Sequence, residues 1–313
     1  MLNNNEYKEL LNYYNINFNK ILPDIKLNGS PERCLFRICI KDINNKKYIL
    51  EKIPSQKIKR KQEIIDLIIN LNKYNIKETP NFLKSKNNEY IINFNNSFFQ
   101  LQEFIEGETL IQPDYLNDSI KGENLAKLLI KINKKNIKVK NNFSIKKYIY
   151  SIIKTIKLYD YNYYLELFKI IKYLESNLFI NYDKIPESFS HGDLHPLNVI
   201  WDNEKIKSLI DFEFFSKNLE MYDAANLLGC LGIENPYQLT KEGFSESFIK
   251  TIKKENIYSQ ISYKNFIDLI IAIRFGWISE WFRKNDIEMK KLELDYIKFL
   301  IKNKQKIEKY YNL

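Results

Sequence analysis

The chain has 313 residues, enough for two ordinary domains or one large two-lobed unit. Hydrophobic residues make up 44% of it and charged residues 28%, which supplies a core and argues against a disordered chain. The net charge of +10 admits a nucleic-acid binder or a protein for anionic small molecules such as nucleotide phosphates.

The charge is spread, because lysine, asparagine and isoleucine are abundant throughout. No basic stripe with interleaved aromatics occurs. The two densest runs, 57–62 and 131–140, sit in helical patterns, where solvated faces are expected, so no nucleic-acid partner is expected. No apolar run reaches the roughly 18 residues of a membrane span, and the polar start MLNNNEYKELLNYY is not that of a signal peptide. The three cysteines, Cys34, Cys39 and Cys230, are odd in number, and Cys34 and Cys39 have opposite parity in one predicted strand, where they cannot bridge. A reducing, cytoplasmic setting is expected. Oligomeric state is not legible.

In chain order, residues 4–20 read as a helix. RCLFRICI (33–40), a polar turn and KYILEKI (47–53) read as a hairpin. Residues 55–74 read as a helix with Ile58, Ile65, Ile68 and Leu71 near one face. Residues 88–94 and 98–105 read as a second hairpin. After Gly107 the texture changes to helices over about 115–136, 144–157 and 160–178, then loops and short strands over 186–213, then helices to the end. The expected class is α+β, with a small antiparallel sheet over 1–105, one helix inserted in it, and a larger, mainly helical portion over 106–313, the two enclosing a cleft.

The chemistry concentrates in one stretch. Both histidines of the chain lie in FSHGDLHPLNVIWD, which contains His191-x-Asp193-x-x-x-x-Asn198. Further on, Asp211 directly follows the apolar pair Leu209-Ile210. NVIWD and IKSLID read as two short strands around the turn NEK, so a hairpin is expected to bring Asn198 and Asp211 together. An amide oxygen and a carboxylate are hard ligands that suit Mg²⁺. Asp193 would then be a carboxylate placed to orient a hydroxyl.

HGDLHPLN followed by LIDFE resembles the catalytic loop and metal-binding segment of the protein-kinase-like superfamily. The similarity is to the aminoglycoside phosphotransferase and choline kinase-like branch of small-molecule kinases. That resemblance implies a bilobal protein-kinase-like fold and an ATP- and Mg²⁺-dependent transfer of the γ-phosphoryl group to a hydroxyl of an aminoglycoside-, choline- or sugar-like molecule. It implies Asp193 as catalytic base, Asn198 and Asp211 as metal ligands, His191 as a brace for the loop, and Asp223 as its tie to the next helix. Glu213, third in DFE, looks like the choline-kinase pattern and is a candidate substrate contact.

In the N-terminal part the resemblance implies a strand lysine, Lys52, and a helix carboxylate, Glu63 (with Asp66 as alternative). It implies adenine contacts at the backbone of Glu103 and Ile105. No G-x-G-x-x-G is present; KLNGSPERC offers Gly29 and, as a candidate phosphate contact, Ser30. Trp277 and Trp281 share a helix face with Glu280 nearby, a set suited to a cationic acceptor; core positions are the competing reading of the tryptophans. Two other functions compete. One is a metal-dependent hydrolase with His191, Asp193, His195 and Asp211 as ligands; the other is a nucleotide-binding pseudokinase.

Overall fold

The computed structural model describes residues 2–27, 32–111, 113–233 and 235–313. The chain divides into two compact units, one of residues 1–107 with 207–210, the other of residues 108–206 with 211–313.

In the first unit, α1 (Asn4–Asn12) starts at a capping box in which Asn3 and Glu6 exchange side-chain and backbone hydrogen bonds. It stops well short of residue 20, which corrects the expected helix. Asn15 takes φ of 56°, a left-handed conformation that Asn tolerates, and the chain turns into a strand that the sequence did not announce, β1 (Phe18–Ile21). β2 (Phe36–Asp42) and β3 (Lys47–Ile53) form the expected hairpin, with Asn45 left-handed in the turn. Cys34 precedes β2 instead of sharing a strand with Cys39; both thiols are buried and free.

A 3₁₀ turn leads into α2 (Ile58–Lys73). β4 (Ile91–Phe94) and β5 (Ser97–Glu103) complete an antiparallel sheet ordered β1-β2-β3-β5-β4. Strand side chains alternate between faces. One face carries Ile40, Tyr48, Leu50, Phe99 and Leu101, which form a core with Tyr7, Leu10 and Leu11 of α1. The other face belongs to α2, because Glu51 reaches Lys61 there.

The second unit is mainly helical. α3 (Ser119–Asn133), α4 (Ile145–Tyr159) and α5 (Tyr161–Leu174) are capped by Asp118, Ser144 and Asp160, each side chain accepting a backbone N–H of the first turn. A π-helical turn over Glu175–Phe179 continues α5. Then follow β6 (Glu187–Ser190), β7 (Val199–Asp202), β8 (Lys205–Leu209) and β9 (Ser216–Leu219). β7 and β8 form a two-stranded hairpin. β9, where helix was expected, pairs antiparallel with β6. α6 (Tyr222–Leu231), α7 (Phe244–Glu255), α8 (Gln260–Lys264), α9 (Phe266–Arg283) and α10 (Ile287–Tyr311) finish the chain. α9 packs on α6 and α10, and α3 packs on α7. No helix of the described residues is long and apolar enough to cross a membrane.

Candidate active site

The ladder between β6 and β9 sets the site. Its last rungs pair Phe189 with Lys217 and Ser190 with Ser216. The loop 191–198 leaves β6 at the same end at which the segment 211–215 enters β9. Asn218 of β9 donates to the hydroxyls of Ser190 and Ser216, tying the two exits together.

The two segments then pack on one another. The rings of His191 and Phe212 lie 4.5 Å apart. Gly192 has φ of 84°, and a Cβ placed on it would lie 2.2 Å from the carbonyl oxygen of Phe214. Only glycine allows both that backbone conformation and that approach.

α6 holds the loop from beneath. The N–H groups of His191 and Gly192 donate to the two oxygens of Asp223, at 2.8 and 2.9 Å. Burial pushes the Asp223 carboxyl up to about 7, against the two peptide donors that lower it. One turn on, the Asn226 amide donates to the carbonyl of Leu194 at 3.0 Å.

Within the loop, Asn198 Nδ2 donates to the backbone oxygen of Asp193 at 2.9 Å and reaches its Oδ2 at 3.3 Å. That fixes the orientation of the amide, so that Oδ1 is the end that could meet a cation. Asp211 sits in the left-handed conformation (φ 61°, ψ 61°) between β8 and the 3₁₀ turn Phe212–Phe214. Strain of this kind collects at functional sites. One amide oxygen and one carboxylate on two packed segments fit a hard divalent ion such as Mg²⁺.

The hydrolase reading does not fit. Among the described residues no group of three or more His, Cys, Asp or Glu is arranged to hold a metal ion. His191 is buried, and its Nδ1 accepts the N–H of Asp193 at 3.3 Å. His195 Nε2 stands 3.8 Å from Asp193 Oδ2.

Beyond His195 lies an aromatic tier that α9 provides. Its ring meets Trp277 edge-on at 6.2 Å, and Trp277 stacks with Trp281 at 5.9 Å. Both indoles are half-buried and so are not core positions. Two buried residues that sequence reasoning missed stand behind them. Arg274 and Glu293, 2% and 0% exposed, form an ion pair between α9 and α10. The guanidinium lies 5.5 Å from the Trp277 ring centroid, and Glu293 accepts the indole N–H of Trp281 at 3.2 Å. No sequence signal joins residues 19 apart on different helices. Glu280 is engaged by Arg283 and Lys284, and the Arg283 hydrogen bond foremost lowers its pKa, so it is a surface helix ion pair instead of an anion held ready for a cationic ligand. Glu213 lies in the 3₁₀ turn after Asp211, half-buried.

In the first unit, Lys52 and Glu63 are not brought together, which corrects the expected pair. Lys52 has the parity of Tyr48 and Leu50, and its Nζ lies 5.9 Å from the Phe99 ring on α1's side of the sheet. Glu63 pairs with Arg60, and Asp66 accepts from Gln62 on the exposed side of α2. The strand-to-helix ion pair is instead Glu51 with Lys61. Glu103 ends β5; its N–H donates to Asn81 and its carboxylate is held by Asn81 and Lys46, while Ile105 follows beyond the ladder. Ser30 lies outside the described residues.

The fold and the site now stand beside known proteins. No curated protein matches the sequence. Among solved structures, the chain is similar to an amicoumacin kinase, hAmiN, in complex with AMP-PNP, Ca²⁺ and Ami (TM-score 0.66, 13% identity, 96% of this chain and 93% of that one). It is similar to an aminoglycoside phosphotransferase from Alicyclobacillus acidocaldarius (0.65, 11%, 95% of each chain). It is also similar to the choline kinase LicA from Streptococcus pneumoniae (0.62, 17%, 95% and 96%). At these identities the likeness establishes the protein-kinase-like fold. A family model, described as the phosphotransferase enzyme family, matches residues 40–248. Because that match spans about two thirds of the chain and includes the loop 191–198, Asp211 and Asp223, the chain belongs to the phosphotransferase enzyme family.

Proposed function

We propose that this protein transfers the terminal phosphoryl group of a nucleoside triphosphate, ATP in the first instance, to a hydroxyl of a small molecule. The observation that carries the reading is the packing of loop 191–198 on segment 211–215 through His191–Phe212 and Gly192–Phe214, which sets Asp193, Asn198 and Asp211 on adjoining backbone. Asn198 Oδ1 and the Asp211 carboxylate would hold Mg²⁺, which when bound offsets phosphate charge.

Asp193 accepts the proton of the acceptor hydroxyl as that oxygen forms a bond to the terminal phosphorus. The bond from phosphorus to the diphosphate oxygen breaks, and the diphosphate leaves with the electron pair. Asn198, bonded to both the backbone and the carboxylate of Asp193, keeps that carboxylate in one place. Asp223 and Asn226 fix the loop to α6, so little reorganisation is needed at the moment of transfer.

The stacked, half-buried Trp277 and Trp281 beside His195 support an acceptor that carries an amine, through cation–π contact. Choline-like, aminoglycoside and other amino alcohols are therefore the first acceptors to try, with neutral sugars as comparison. Three unpaired thiols support a cytoplasmic setting. The experiment is ATP turnover with Mg²⁺ over that panel. Acceptor-dependent ADP release and a phosphorylated product are expected; no acceptor-dependent turnover with any amino alcohol or sugar would count against the reading.

A further inference from the structure

The sheet face toward α2 carries an ion cluster that the reading above does not use. Glu51, in the middle of β3, is 4% exposed. Arg37, its direct cross-strand partner on β2, approaches Oε2 with Nε at 3.0 Å and Nη2 at 2.8 Å, a forked contact. Lys61, in the first turn of α2, places Nζ 2.7 Å from Oε1, an ion contact that lacks the alignment of a hydrogen bond.

The Lys61 side chain is only 6% exposed. The rest of α2's buried face is apolar: Ile64, Ile65, Leu67, Ile68 and Leu71. A leucine or methionine at 61 would continue that face with no desolvation penalty, since burying an ion pair stabilises little or costs stability. The cluster therefore calls for a use other than holding the fold.

Its surroundings indicate that use. Cys34, at the end of the β1–β2 connection, is held up to about 11 foremost by burial, and its thiol senses the charges of Glu51, Arg37 and Lys61. The cluster thus neighbours Cys34, the described end of a connection that in kinase-like folds covers the phosphates. An ammonium on a helix, held by a strand carboxylate that is itself locked by a second cation, is a fixed positive point of the kind a polyphosphate needs.

We propose that Lys61, oriented by Glu51 and Arg37, is the cation that binds the nucleotide's phosphates, so that the helix supplies the lysine and the strand the carboxylate. Lys52 does not take that role, because β3 turns it to the α1 side of the sheet. The assignment rests on the phosphotransferase reading and goes beyond it.

The test is calorimetric binding of ADP and GDP, each against its bare nucleoside, with thermal unfolding as a check of the fold. The variants are Lys61→Met, which leaves Glu51 its forked contact with Arg37, and the neutral pair Glu51→Gln/Lys61→Gln should the first not fold. Wild type should bind the diphosphate more tightly than the nucleoside. In the variants the diphosphate should weaken by roughly tenfold or more while the nucleoside stays within about threefold, and Lys61→Arg should restore most of the difference. A variant that keeps the wild-type preference for diphosphate overturns the assignment, as does one that loses nucleoside and diphosphate equally, or a loss that falls on Lys52→Gln instead. Such results with a wild type that still turns over ATP would leave the phosphotransferase reading intact. A wild type that binds neither diphosphate would overturn both.

Discussion

At the scale of single residues, adjacency in sequence and adjacency in space diverge most sharply at Glu51 and Lys52. The two are neighbours, but a strand sends them to opposite faces, and nothing local says which face meets α2. The expected Lys52–Glu63 pair assigned the faces the wrong way round; only the docking of α1 and α2 decides it. From the sequence Asn198 is expected beside Asp211; the contact it makes with Asp193 lies within one loop, where five positions suffice to bring amide and carboxylate together. Gly192 needs to be glycine for a reason that lies far off in sequence, the Phe214 carbonyl against which its backbone packs. Substitution there is expected to act on both stability and chemistry. In Gly192→Ala, a left-handed alanine pressed against a backbone oxygen should lower unfolding free energy by about 1–3 kcal/mol. Because the loop must shift to relieve the clash, kcat should fall as well; denaturant unfolding and steady-state kinetics measure the two effects.

At the scale of elements, helices and hairpins with clear periodicity were read to within a few residues, as with β3, α2 and α4. The short strands β1 and β9 were not. A four-residue strand has too few alternations to register, and β9 becomes a strand because β6 lies beside it. α6 acts on the loop chiefly through Asp223, which accepts two of its peptide N–H groups. In Asp223→Ala those buried donors lose their acceptors, so a loss of about 2–4 kcal/mol of stability is expected, with a fall in kcat larger than any rise in KM; thermal melts and kinetics together check it. α9 acts at the other side. Trp277 bridges His195 and the buried Arg274–Glu293 pair, so Trp277→Ala should raise KM for an amine acceptor by roughly tenfold. Nucleotide KM should stay unchanged. Equal effects on amine and neutral acceptors would contradict the cation–π reading.

At the scale of the whole molecule, the class of fold was legible from texture alone: a β-rich start, a change after Gly107 and helices beyond. The division of the chain was less so, because residues 207–210 group with the N-terminal unit although they are remote from it in sequence. That grouping is a long-range pairing, visible where the N–H of Leu209 donates to the carbonyl of Glu78 at 3.0 Å. The net charge of +10 carries little functional information. Many lysines are taken up in surface pairs with glutamates three or four residues away, as with Lys127–Glu123, Lys169–Glu166 and Lys250–Glu246. What distinguishes the molecule is local: a loop and a turn, pinned together by α6 and the β6–β9 ladder, that carry the two carboxylates and the amide proposed as base and metal ligands. The measurement that tests this most directly pairs turnover with nucleotide binding in Asp193→Ala. Acceptor-dependent turnover should fall by about 10²- to 10⁴-fold while affinity for Mg·ATP stays within about threefold of wild type, because the role proposed for Asp193 is toward the acceptor and not the nucleotide. Turnover close to wild type in that variant would contradict the account.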